Sequence, residues 1–383
     1  MLSTGIKFKT FKNKKKTKKI KSILKKLLIN QNQVLDSLST NYGYSYDNKY
    51  LKKFKNSSNF RIIGMGGSTL GAQAIYDFLR YKIKKKFTFI DNLISIQKKD
   101  HKKFTNIIIS KSGNTTETIV NANILIKKKD KNIFLTEDKP SYLNLLASKL
   151  KADIIHHNDF IGGRYSVLSE VGMLPAELMG LNPKKFKQLN FLIKKKSFIN
   201  SLISSVSATL YFIQKKKYNS IIINYDEKSE NLFKWYQQLV AESLGKKNSG
   251  ILPVVSIMPR DNHSVMQLYL DGFKNNFFTF FHVNDSKFDK INNSNILSQQ
   301  KFLKNKNSSS ILYAQKKATE NVFMNKNIPF RSFEVKKRDE KTLGELFCFF
   351  ILETILIGKA LNINPYDQPA VELIKKETKK LLI

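Results

Sequence analysis

The sequence predicts an α/β protein of two doubly wound parallel-sheet units, each a three-layer αβα arrangement, closed by C-terminal helices. Three observations carry that reading. From residue 59 onward, short β-branched runs alternate with stretches of helical period, which is the βαβ rhythm of a parallel sheet. Glycine turns stand where strand candidates pass into helices, as at Gly64, Gly66 and Gly67. At 383 residues the chain is well over the length of one domain of about 150 residues, so two fused units are expected.

Residues 1–58 read as a basic helical segment. Ile20 to Leu35 has the apolar spacing of an amphipathic helix, and the lysine-rich run Lys14 to Lys26 has neither the long apolar core nor the small-residue cleavage pattern of a secretory signal. In the first unit, 59–181, "FRIIGMGG" is a buried strand entering a glycine turn, and Thr69 to Arg80 is the helix that follows. Further strands are expected at Phe87 to Ile90, Asn106 to Ser110, Asn132 to Leu135 and Asp153 to His156. A helical connection spans 182–217. The second unit, 218–342, begins a new series at Ile221 to Tyr225, Val254 to Met258, Phe277 to Val283 and Phe330 to Val335, with the polar stretch Asn284 to Ser310 as a surface excursion. Residues 343–383 form two helices, Leu343 to Leu361 and Pro369 to Leu382, separated by "NINPYDQP", whose two prolines forbid one continuous helix.

Composition excludes several classes. Hydrophobic residues are 41% of the chain, with 16 Gly and 8 Pro, so a packed core forms and neither disorder nor a collagen-like fibre is expected. The apolar run Leu346 to Gly358 is too short to span a bilayer and carries Glu353. Cys348, the single cysteine, allows neither an internal disulfide nor a multi-cysteine metal site and reads as a small buried residue. The net charge of +37 would ordinarily suggest a polyanionic partner. The excess is lysine, however, with arginine only at 61, 80, 164, 260, 331 and 338, while phosphate and base recognition favours the guanidinium fork. Lys, Asn, Ile and Phe share A/T-rich codons, so base composition accounts for the pattern and no specific nucleic-acid or membrane partner is expected. The same field can still steer an anionic substrate at low salt.

Five places carry candidate chemistry. Gly64, Gly66, Gly67 and Ser68 open a helix after a strand, where free backbone N–H groups favour an anion, although glycines there also serve tight packing. The run matches neither the P-loop nor the dinucleotide fingerprint. Ser110, Lys111, Ser112, Gly113, Asn114 and Thr115 supply the hydroxyl, ammonium and backbone donors that a phosphate needs; the alternative is a capping pair of Asn114 and Glu117. Arg164 follows two glycines in "GGRYS" and suits an oxyanion or a structural ion pair. Gln238 and Glu242 share one helical face, and a carboxylate after Leu239, Val240 and Ala241 suits a general base. His263 stands at a strand-to-helix junction, whereas His101, His156, His157 and His282 have contexts that suggest surface or core roles. No ligand spacing for a metal is present, so neither metal nor other cofactor is expected.

Together the blocks "GMGGSTLG", "SKSGNTTET", "GGRYSVLSEVG", "QQLVAESLGK", "HSVMQ" and "YDQPAVELIKK", in this order, resemble the glucose-6-phosphate isomerase family, which has two sugar isomerase domains. The resemblance implies an aldose-ketose isomerase working through a cis-enediol in glycolysis and gluconeogenesis, cytoplasmic and homodimeric with shared active sites. It implies that Glu242 is the base moving a proton between C2 and C1, that Arg164 stabilises the enediolate, and that His263, from the neighbouring subunit, and Lys375 open the sugar ring. Gly67, Ser68, Ser110, Lys111, Ser112 and Thr115 would bind the phosphate, with Gln238 and Gln368 lining the site. The sequence departs from the family's pattern at Ser112 to Asn114, at Glu170, which takes a position normally small and uncharged, and at Pro369 and Ala370. The competing readings are an enzyme that also accepts mannose 6-phosphate and a noncatalytic sugar-phosphate-binding regulator; the joint presence of Glu242 and His263 argues against the second.

Overall fold

A computed structural model describes residues 2–12, 17–94, 103–127, 129–284 and 290–383; the lysines at 14–16, His101 and the start of the polar excursion after Asn284 lie outside the described residues. In chain order the strands are β1 (Ile6–Lys9), β2 (Asn59–Gly64), β3 (Lys86–Ile90), β4 (Thr105–Ile109), β5 (Lys131–Thr136), β6 (Asp153–His156), β7 (Asn219–Asn224), β8 (Leu252–Ile257), β9 (Asn276–Val283) and β10 (Phe330–Val335). They form two five-stranded sheets, ordered β3-β2-β4-β5-β6 and β1-β10-β9-β7-β8. Every pairing is parallel except β1 against β10. The expected α/β class and its eight post-59 strands beyond β2 are thus present, each within two residues of its expected bounds.

Helices cover both faces of each sheet, so the inner strands are apolar throughout rather than alternating: β4 and β9 are buried along their whole length. In the first sheet the order reverses at β2, which has β3 on one side and β4 on the other. The loops leaving β2 and β4 therefore meet at the carboxyl edge, in the crevice where doubly wound sheets bind ligands.

The N-terminal segment departs from its helical reading. Ile6 to Lys9 is an edge strand of the second sheet, with Ile6 buried and Phe8 packed on Phe333 and Phe349. The alternation Ile6, Phe8 against Lys7, Lys9 is too short to stand out beside the lysine run. The amphipathic helix is Lys18–Ile29, burying Ile20, Leu24 and Leu27. It stops before Leu35 because Asn32 caps a new turn, its side chain accepting from the Leu35 N–H at 3.2 Å.

One helix organises the centre. Glu340–Ala360 buries all but Lys341 and Lys359, as a helix apolar all round must, and packs on Lys196–Gln214 and Glu230–Leu244. Its Glu353 is neutralised by Arg331 of β10, and Glu345 accepts a hydrogen bond from Ser3 at 2.5 Å. Cys348 is fully buried there, where burial pushes its thiol up to about 12. None of the helices among the described residues is long and apolar enough to cross a membrane.

Candidate active site

The first glycine loop is shaped by contact. Gly66 adopts φ +54°, and a Cβ there would stand 2.7 Å from Nε2 of Gln238. A Cβ on Gly67 would stand 2.1 Å from the carbonyl carbon of Gly163, so the turn after β2 and the turn carrying Arg164 abut backbone to backbone. At the end of β4 the Ser110 and Thr115 hydroxyls are 2.9 Å apart, and Gly113 turns the chain at φ +65°. The capping alternative does not form: Asn114 Oδ1 accepts from the Tyr142 N–H at 3.0 Å, and Thr115 occupies the cap position of the helix Thr116–Leu125 without a side-chain cap bond. Ser68, Ser110, Ser112 and Thr115 thus lie on the two loops that meet at the reversal of sheet order.

Arg164 lies in a helical turn, Gly163–Leu168, and is 1% exposed. Its Nε donates to Ser243 Oγ at 2.8 Å, Nη1 to Glu242 Oε2 at 3.2 Å and to Gln368 Oε1, and Nη2 to the carbonyls of Pro365 at 2.8 Å and Asp367 at 3.0 Å. Gln238 Nε2 donates to Glu242 Oε1 at 2.9 Å, so the i, i+4 pair on the helix Glu230–Leu244 is formed. Both oxygens of Glu242 are therefore held, one by an amide and one by a guanidinium. The Glu242 side chain remains 30% exposed, against none for Arg164. It faces a cleft of about 850 Å³ that is also lined by Ala241, Asn248, Gln368 and Val371. A carboxylate lining a cleft beside a fixed cation can carry a proton while the cation holds developing negative charge.

Sequence reasoning missed the supports of this cluster. Trp235 Nε1 donates to the Arg164 carbonyl at 3.1 Å, and the Tyr165 hydroxyl pairs with Ser243 at 2.8 Å and donates to the Pro365 carbonyl at 2.9 Å. Burial pushes the Tyr165 phenol up to about 12, against the lowering pull of Arg164, so it serves as a neutral donor. The Tyr in "GGRYS" and the Ser in "AES" were in view; only the fold shows that they meet.

Three expected site residues stand apart. The Lys111 ammonium donates to the Asp159 carbonyl at 2.6 Å and lies 3.4 Å from Glu137, so its charge is already engaged. His263 is exposed at the end of the turn Arg260–His263, with none of the Glu242 cluster among its described contacts. Lys375 lies on the fully exposed helix Val371–Leu381, paired with Glu372 at 2.6 Å. Of the other histidines, His157 is buried and lowered to about 4 by that burial, His156 is exposed, and His282 is buried in β9. Glu170 is buried, its carboxyl raised by burial and hydrogen-bonded by Tyr42 at 2.9 Å.

Comparisons with known proteins identify the family and the fold. The family model described as "Phosphoglucose isomerase" matches residues 32–382. A glucose-6-phosphate isomerase of Methanocaldococcus jannaschii is 33% identical, covering 85% of this chain and 85% of its own. One from Mycoplasmopsis pulmonis is 32% identical over 84% of this chain and 82% of its own. Among solved structures, a hypothetical protein of Thermus thermophilus superposes with a TM-score of 0.82 at 21% identity, covering 95% of this chain and 94% of that one, which is a likeness of fold.

Proposed function

The chain belongs to the phosphoglucose isomerase family, and on that premise we propose that it interconverts glucose 6-phosphate and fructose 6-phosphate through a cis-enediol. The observation that carries the reading is the Glu242 carboxylate held between Gln238 and Arg164 in the wall of the cleft. Glu242 takes the proton from C2 of the open aldose and returns it to C1 of the enediol, the reverse running from the ketose. The enediolate oxygen takes the place of a carboxylate oxygen on Arg164 Nη1, so the charge that leaves Glu242 is replaced by the charge developing on the substrate. The substrate phosphate sits between the loops after β2 and β4, on Ser68, Ser110, Ser112, Thr115 and the backbone near Gly67, and supplies positioning energy away from the reacting carbons.

The enzyme acts as a cytoplasmic homodimer. Support for the dimer is that His263 is exposed, with no described contact to the Glu242 cluster, and that the helix Val371–Leu381 exposes Val371, Ile374 and Leu381 along one side. A second copy brings His263 to the neighbouring cleft and reseats Lys375 for ring opening. The test is a coupled assay of purified protein with fructose 6-phosphate, following glucose 6-phosphate formation. Absence of turnover from correctly folded protein would reject the reading. Mannose 6-phosphate formation, followed in the same samples, separates strict from dual specificity.

A further inference from the structure

We infer that Lys246 is a positioning residue that fixes the Asn364–Gln368 segment and, through Gln368, the aim of Arg164. Lys246 follows the helix that carries Glu242. Its backbone is pinned in a tight antiparallel turn, with Lys246 N bonded to the Ser249 carbonyl at 3.1 Å and Ser249 N to the Lys246 carbonyl at 2.9 Å. Lys247 and Asn248 both take φ +53° to close that turn. The ammonium then reaches across the cleft wall. It donates to the Asn364 carbonyl and to Asp367 Oδ1, the latter at 2.7 Å, with the lysine side chain only 12% exposed.

That hydrogen bond is the leading cause holding the Asp367 carboxyl below its usual range. Asp367 is tied in turn by Asn364 Nδ2 at 3.0 Å. Arg164 grips the same segment through the carbonyls of Pro365 and Asp367. Two cations, from turns far apart in sequence, therefore clamp one short stretch whose next residue is Gln368, an acceptor of Arg164 Nη1. Beyond it the chain gives little help, since Asp367 to Ile383 is exposed. Two of the three ammonium protons are committed to this stretch, and from it a route to substrate runs through Gln368 to Arg164.

The role deepens the isomerase reading and rests on it for one of its two readouts. In the 383-residue chain, Lys246→Met is expected to lower kcat about tenfold or more while KM for fructose 6-phosphate moves less than about threefold, because alignment is lost rather than a substrate contact. Lys246→Arg, which keeps cation and donors, should restore most of the rate. Independently of activity, amide hydrogen exchange in a peptide covering residues 363–370 should speed up by about tenfold in Lys246→Met. An effect confined to KM, a kcat within about twofold of wild type, or unchanged exchange would each overturn the role. Should Lys246→Met not fold, Asp367→Asn carries the same test with a smaller change in the same direction. A wild-type chain without turnover would sink the isomerase reading, while the exchange measurement would still decide for or against the clamp.

Discussion

Arg164 has five N–H donors and the structure gives it five acceptors: Ser243, Glu242, Gln368 and the carbonyls of Pro365 and Asp367. A guanidinium with no spare donor can bind a new oxyanion only by exchanging a partner, and Glu242 is the partner whose negative charge falls when it takes a proton. Glu242→Gln keeps the shape and an oxygen for Arg164 but cannot accept a carbon-bound proton, so turnover should fall about 10²- to 10⁴-fold, roughly 3 to 5 kcal/mol of barrier. Calorimetric binding of a sugar-phosphate analogue should survive, and solvent-deuterium exchange at C1 of fructose 6-phosphate should collapse with turnover. Exchange near the wild-type rate would remove Glu242 from the role of base. A second prediction concerns Gly67, where a methyl group would drive into the Gly163 carbonyl, whereas at Gly162 the nearest atoms stand 3.9 Å away. Gly67→Ala should cost about 1–3 kcal/mol in urea unfolding and most of the activity, while Gly162→Ala leaves the melting temperature nearly unchanged. Equal behaviour of the two variants would mean that the abutting turns separate freely. The Gln238–Glu242 pair was legible in the sequence because helical period places i and i+4 together. The acceptors of Arg164 were not, since two are backbone carbonyls 201 and 203 residues away, a proximity that no local pattern encodes.

Among elements, the parallel strands were legible because burial on both faces leaves continuous apolar runs, and β9, "NFFTFFHV", is the plainest case. The edge strand β1 was not, because an edge strand buries one side only and its exposed side here is lysine. Charge also fastens the sheet to its cover. Glu334 on β10 lies 2.7 Å from Lys316 and 2.6 Å from Lys317 of the helix Ser308–Asn325. Burial alone would raise its carboxyl, but hydrogen bonds and charge from the two ammonium groups outweigh that and bring it to about 2, from an ordinary 4.5. The sign follows: the unfolded chain binds this proton more readily, so the stabilisation is present above pH 4.5 and is lost as pH falls from there toward about 2. Urea midpoints of wild type and Glu334→Gln should therefore differ most near neutral pH and converge on acidification. A difference that stays constant down to about pH 3 would contradict this assignment.

For the whole molecule, the family match from residue 32 to 382 and the two-sheet fold agree with the order of motifs along the chain. Among the described contacts of one chain, neither His263 nor Lys375 reaches the Glu242 cluster: His263 is exposed at the end of a turn beyond β8, and Lys375 stands on a helix without a buried residue. Sequence motifs name such residues without saying which copy of the chain supplies them, because a motif carries no information about symmetry. If the site is shared across a two-fold axis, each cleft pairs Glu242 of one subunit with His263 of the other. Glu242→Gln and His263→Ala homodimers are then both inactive, and a mixed dimer holds one cleft with both defects and one with neither. Equal mixing with complete exchange should regain about a quarter of wild-type turnover, from half the dimers with one good cleft each. Exchange is confirmed separately by co-purification of differently tagged variants, and dilution below the dimer dissociation range should abolish the regained activity. Demonstrated exchange with no regained turnover would place Glu242 and His263 in the same subunit, and the chain would then have to bring the His263 turn to its own cleft by a change of conformation.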